Sequence, residues 1–176
     1  MDPQRLEDWS LPRFSWDYEH LPEAAQWFLM ARAYLNCSHH LLEEMIQERL
    51  SGSFYDAKVA VATFEHAIEL FLKGAIVQAH EPVPPHHRAA DLLQEYRRLY
   101  PGKEFEFTGK ISEAVAEQPT APRNQYARYP ADAKGRPWVG HTHIDLSTWY
   151  EEIRPFREDF ARLEASIKAK HPRPHP

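Results

Sequence analysis

Residues 55–93 read YDAKVAVATFEHAIELFLKGAIVQAHEPVPPHHRAADLL, and this stretch decides the fold. Phe64, Ile68, Phe71, Leu72 and Ala75 recur at helical spacing and define one stripe for burial. Glu69 and Lys73 stand four apart with the acid first, the favourable order for a pair on a helix surface. The helix is expected to run to about His80. Pro82, Pro84 and Pro85 then forbid its continuation, because proline lacks the N–H and clashes with the preceding turn. A further helix spans about His86 to Leu99, with Ala89, Leu92, Leu93 and Tyr96 inward, and Pro101-Gly102 ends it.

Upstream, Leu21-Pro22-Glu23 starts a helix, since proline is tolerated in a first turn. Trp27, Ala31, Tyr34, Leu41, Met45 and Ile46 give it an apolar face to about Leu50. Ser51-Gly52-Ser53 supplies a C-cap glycine and an N-cap serine for the helix that follows. Residues 1–20 carry Trp9, Phe14, Trp16 and Tyr18 among polar residues and prolines. Such an aromatic-rich extension is expected to pack on the body, because disordered tails are poor in aromatics.

Downstream, a short helix is expected at Ile111 to Glu117, entered near Thr108. Residues 118–145 are rich in Pro, Gly and Arg and read as a long basic loop, a length that in a compact domain points to function. The last helix has the cleanest period: Leu146, Trp149, Ile153, Phe156, Phe160, Leu163 and Ile167 alternate steps of three and four, a heptad-like seam. Thr148 and Glu151 form a candidate capping box. Pro155 is expected to kink this helix or delay its start. The segment from Lys168 onward is basic and Pro-rich and is expected to fray, leaving 171–176 as a flexible tail.

The chain has 176 residues, enough for one domain with a buried core. It contains one cysteine, Cys37, so no internal disulfide forms. The N-terminus is polar and acidic, unlike a secretory signal, and no apolar run is long enough to span a bilayer. These features point to the cytoplasm. A net charge of −5 argues against broad electrostatic binding to nucleic acid but leaves room for a local basic groove. Arg97, Arg98, Lys103, Lys110, Arg123, Arg128, Lys134 and Arg136 cluster in the middle-to-late chain. Acids gather at Glu43, Glu44 and Glu48 and at Glu151, Glu152, Glu158 and Asp159. Solvated faces are the ordinary reading of such runs.

The chain has six glycines and no Gly-rich phosphate loop, nucleophile elbow or dinucleotide fingerprint, so no cofactor is implied. His141-Thr142-His143-Ile144-Asp145 has metal-ligand spacing, but Leu146 stands where such motifs carry a further His, and a polar turn fits better. His39-His40 and His86-His87 do not chelate easily, because neighbours on a helix point about 100° apart. Tyr126, Tyr129 and Trp138 interleave with arginines in the loop, an arrangement that either stacks on a nucleotide or pins the loop to the bundle.

His66, Glu69, Leu72 and Lys73, then His87 with Leu92 and Leu93, and then Arg128-Tyr129-Pro130 resemble in order and spacing the HEPN family of small helical bundles. The likeness covers roughly residues 27–168. In the stretch at His87, His86, Arg88 and Ala89 replace the family's Thr, Asp and Leu. The resemblance implies an all-α, antiparallel four- to five-helix bundle over 21–170 that commonly forms homodimers. An apolar last helix with surface to spare would suit such pairing. It also implies a setting in bacterial toxin–antitoxin or defence systems, with a nucleotidyltransferase-type antitoxin as a partner. Ribonuclease members carry an Arg followed four to six residues later by His, with Asn often next to the Arg. Arg123-Asn124 begins that pattern, but Arg128 stands where His is needed, and arginine does not act as a base. Arg136 and His141 keep the spacing, although Pro137 and Gly140 lie between them. The expectation is therefore a module that binds nucleotide, RNA or a partner protein through Arg123, Asn124, Arg128, Tyr129 and Arg136. The alternative is a metal-independent ribonuclease using Arg136 and His141.

Overall fold

The computed structural model describes residues 21–50, 54–84, 89–109, 134 and 145–172. Among these the chain is all α: α1 Glu23–Ile46, α2 Phe54–Gln78, α3 Ala89–Leu99 and α4 Leu146–Lys170, with a 3₁₀ turn at Lys103–Phe105. The extension 1–20, residues 51–53, the expected helix at 111–117, and all of the basic loop except Lys134 and Asp145 lie outside the described residues.

Three long helices form the core. Gly74 of α2 faces Trp27 and Phe28 of α1, while the Ser38 hydroxyl donates to the Ala60 carbonyl (2.7 Å), so α1 and α2 run antiparallel. Arg32 meets Glu164 and His39 meets Tyr150, which sets α4 antiparallel to α1 as well. Phe64 packs on Phe156 and Phe71 on Phe160, so α2 and α4 are parallel neighbours. α3 packs on α2. The bundle is thus a mixed one, with α1 reversed against two parallel partners.

The seams explain the arrangement. In α1 the buried positions are Ala24, Phe28, Ala31, Leu35, Ser38, His39, Leu42 and Met45, and all but His39 alternate in steps of four and three. This corrects the expected face. Trp27, Tyr34 and Leu41 lie half-buried at its edge, and Ile46 is exposed. The α2 stripe of Phe64, Ile68, Phe71, Leu72 and Ala75 is buried as expected. Beyond it, every residue from 67 to 78 is buried, so the second half of α2 is covered on all sides. Gly74 permits the close approach of α1, since a Cβ there would sit 3.0 Å from the Trp27 Cβ. The α4 seam from Ile153 to Ile167 is buried within this same core, while Leu146 and Trp149 pack at its edge. Its apolar surface is consumed inside the chain and lends no support to pairing of copies.

Helix ends differ from expectation at α1 and α4. α1 stops at Ile46 rather than near Leu50. The stop uses Glu48 at φ 56°, with Arg49 ion-paired to Glu44. α2 closes through His80 at φ 62°, where the Glu81 N–H reaches the Ile76 carbonyl (3.2 Å), a six-residue closure usually given to glycine. α4 starts at Leu146 and continues past Pro155, so that proline does not delay the start. Its N-cap is Asp145, whose carboxylate accepts from the N–H groups of Ser147 (3.0 Å) and Thr148 (3.1 Å), not the expected Thr148–Glu151 box.

The C-terminal residues up to His171 are docked rather than frayed. Lys170 donates to the Leu99 carbonyl (2.8 Å) and lies over the rings of Tyr100 and Phe105. The His171 carbonyl accepts from Gln78 (2.6 Å). No helix among the described residues is long and apolar enough to cross a membrane.

Candidate functional site

Arg123, Asn124, Arg128, Tyr129, Arg136 and His141 all lie outside the described residues, as do His86, His87 and His143. The structure therefore does not bring these residues together or separate them. Asp145, the last member of the His-x-His-x-Asp run, is described, and its carboxylate caps α4. Among the described residues no three His, Cys, Asp or Glu side chains are grouped to hold a metal ion.

The α2 residues that carry the family resemblance form a polar strip in the core. Lys73 Nζ donates to Glu69 Oε1 at 2.7 Å, and His66 Nδ1 lies 3.6 Å from Glu69 Oε2. Glu69 and Lys73 are only 5% and 6% exposed, so the expected surface pair is a buried one. Trp27 of α1 covers Lys73, whose Nζ is 5.7 Å from the ring centroid, and Tyr34 meets the His66 ring edge-on. α1 has therefore closed over charges that local spacing placed in solvent. Glu69 and Lys73 thus supply counter-charges to each other within the core.

A second polar centre fixes the start of the segment leading to the loop. Asp159, expected on a solvated acidic face, is 1% exposed. Its Oδ2 accepts from the N–H groups of Thr108 (2.7 Å) and Gly109 (3.0 Å), and its Oδ1 accepts from the Thr108 hydroxyl (3.0 Å) and Arg162 (2.8 Å). Arg162 also donates to the carbonyls of Glu104 and Glu106. Gly109 is required there, because any Cβ would enter the Phe156 ring. Gly109 and Asp145, on either side of the loop in sequence, are thus both held at α4.

A cleft of about 440 Å³ lies between α1 and α4. Ala161 is exposed at it, while Leu35 and Phe160 form its buried floor. Arg32 and Asn36 line it from α1, and Arg154, Arg157 and Glu158 from α4. Arg32 pairs with Glu164, which Lys168 also holds (2.5 Å). Arg154 lies 3.1 Å from Glu151, with both side chains largely in solvent. Arg157 makes no hydrogen bond or ion pair among the described residues. These arginines were no part of the sequence-based site. Arg32 and Arg154 are far apart in the chain, and only the antiparallel packing of α1 and α4 joins them.

His39 is buried near this face, its ring 4.6 Å from that of Tyr150. Burial, and then the Arg157 charge, hold it below its ordinary 6.5, against a weaker pull from Glu43. His171 is lowered likewise, first by burial and then by Lys170 and His80. The unfolded chain therefore takes up protons at these positions before the folded one. Their contribution is full above about pH 6.5 and is lost as pH falls toward the folded values. Urea midpoints should drop between about pH 7.5 and about pH 5, and His39→Gln should flatten that slope. An equal slope in the variant would exclude His39 as a cause.

No protein-family model, curated protein or solved structure matches this chain.

Proposed function

We propose that the chain is a HEPN-like dimeric module that binds nucleotide, RNA or a partner protein, without catalysis of its own. Arg123, Asn124, Arg128, Tyr129 and Arg136 are the binding residues in this reading. The observation that supports it is the tethering of the arginine-bearing segment. Its ends are held on α4, by Asp159 at Gly109 and by the Asp145 cap. Asp145 and Asp159 are fourteen positions apart, about 21 Å along the helix. A segment tied down at both ends loses less entropy on meeting a ligand than a free tail would. The family resemblance supplies the anionic ligand class.

The test is fluorescence anisotropy with labelled single-stranded RNA over a range of salt. Arg123→Ala is expected to weaken binding and reduce the salt slope by about one. An unchanged slope removes Arg123 from the site. RNA cleavage in the presence of chelator, abolished in both Arg136→Ala and His141→Ala, would replace this reading with the ribonuclease one. Light scattering that shows a monomer at working concentration removes the dimer.

A further inference from the structure

We infer that the cleft between α1 and α4 is a binding site for a small phosphomonoester, with Arg157, Arg154 and Arg32 as the anion-holding residues. The site is separate from the loop arginines and does not depend on the function proposed for them.

Charge makes the first part of the case. Three guanidinium groups face one cleft whose only acidic lining residue is Glu158. Glu164 already has Lys168 as a cation of its own, so Arg32 is not needed to neutralise it. The Arg154–Glu151 pair is solvent-exposed and therefore easily exchanged for a better partner. Arg157 has no ion-pair partner among the described residues, and the influence of its charge reaches His39. Guanidinium groups match phosphate oxygens with paired parallel hydrogen bonds, whereas an ammonium acts as a point charge. A phosphomonoester carries nearly two negative charges at neutral pH and suits several arginines better than a single carboxylate.

Size and surroundings make the second part. About 440 Å³ lies within the range of small-molecule sites, and exposed Ala161 with the methylene stems of the arginines offers a limited apolar surface beside the guanidinium groups. Asn36 adds an amide able to donate and accept. Acids flank these arginines along α4. Glu151 and Glu152 stand on the α4 turn before Arg154, and Glu164 stands beyond Ala161. The successive phosphates of a polynucleotide would run from the arginines onto these carboxylates. A single compact anion would not.

The probes are inorganic phosphate, glycerol 3-phosphate, 5′-AMP, adenosine and a single-stranded RNA oligomer, titrated into the full chain. The readouts are calorimetry and side-chain NMR of arginine Nε–H groups. The two monoesters are expected to bind and to shift Arg157, and adenosine to leave it unmoved. Arg157→Gln should weaken monoester binding about ten-fold or more. Its melting temperature should stay unchanged, because the side chain is exposed. Arg157→Lys should recover only part of the loss. Arg123→Ala should leave monoester binding intact, which separates this site from the loop. Three results would each overturn the inference: no shift at Arg157 with millimolar monoester, equal binding in Arg157→Gln, or RNA displacing 5′-AMP from this cleft as the tighter ligand.

Discussion

Asp159→Ala is expected to destabilise the chain by about 3–5 kcal/mol, the cost of removing one partner from a buried, hydrogen-bonded charge network. The carboxylate accepts four hydrogen bonds, two from backbone N–H groups at Thr108 and Gly109. Truncation leaves those donors without an acceptor and takes from Arg162 its buried counter-charge. Asp159→Asn should also be poorly tolerated, since an amide offers one acceptor oxygen where two are used and turns a donor toward other donors. Arg162→Ala should cost less, because that side chain is 40% exposed and water replaces it. Urea denaturation measures the free energies, and the expected fall in melting temperature is on the order of 10 °C for a chain of this size. A loss under about 1 kcal/mol for Asp159→Ala would mean that the carboxylate does not hold the 102–109 segment to α4.

Lys73→Ala should be nearly as damaging, at about 3–5 kcal/mol, because it removes one member of a buried ion pair. The informative comparison is the double variant Glu69→Leu, Lys73→Met. Removing both charges and keeping apolar volume is expected to be neutral or to stabilise by about 1–4 kcal/mol. The α2 backbone is already satisfied within the helix, and Trp27 would rest on a methionine in place of the ammonium. A double variant as unstable as Lys73→Ala would assign the pair a specific role beyond mutual neutralisation. The comparison also bears on the family resemblance, which Glu69 and Lys73 help carry: a neutral double variant marks them as packing residues.

Legibility in the sequence followed periodicity and failed where tertiary contact decides. The α2 and α4 stripes were readable because Phe64, Phe71, Phe156 and Phe160 are large and regularly spaced. The α1 face was misread because its seam is built partly from small residues. Ala24, Ala31 and Ser38 are fully buried, and the larger Trp27 and Tyr34 at the margin outweigh them in a reading by size. Burial of Glu69 and Lys73 follows from helices arriving from other parts of the chain. The available hint was the apolar residues on both sides of the pair, Leu70-Phe71-Leu72 and Ala75-Ile76-Val77, too many for a one-sided helix. Asp145 was weighed as a metal ligand when its position, one residue before the periodic run, is that of an N-cap. The α1–α4 cleft had no local signal. Arg32 belongs to one amphipathic helix and Arg157 to another, and each reads alone as a solvated charge.

The order in which the core is assembled has a consequence for synthesis. The bond from Ser38 to Ala60 spans 22 positions, but that from Arg32 to Glu164 spans 132. α1 and α2 can therefore zip together on the ribosome while α4 is still untranslated. Until residues 146–170 emerge, the flanks of Phe64 and Phe71 that Phe156 and Phe160 later cover stand bare on the nascent hairpin. That interval, rather than the finished protein, is when this chain is most exposed to aggregation and most in need of a holding chaperone.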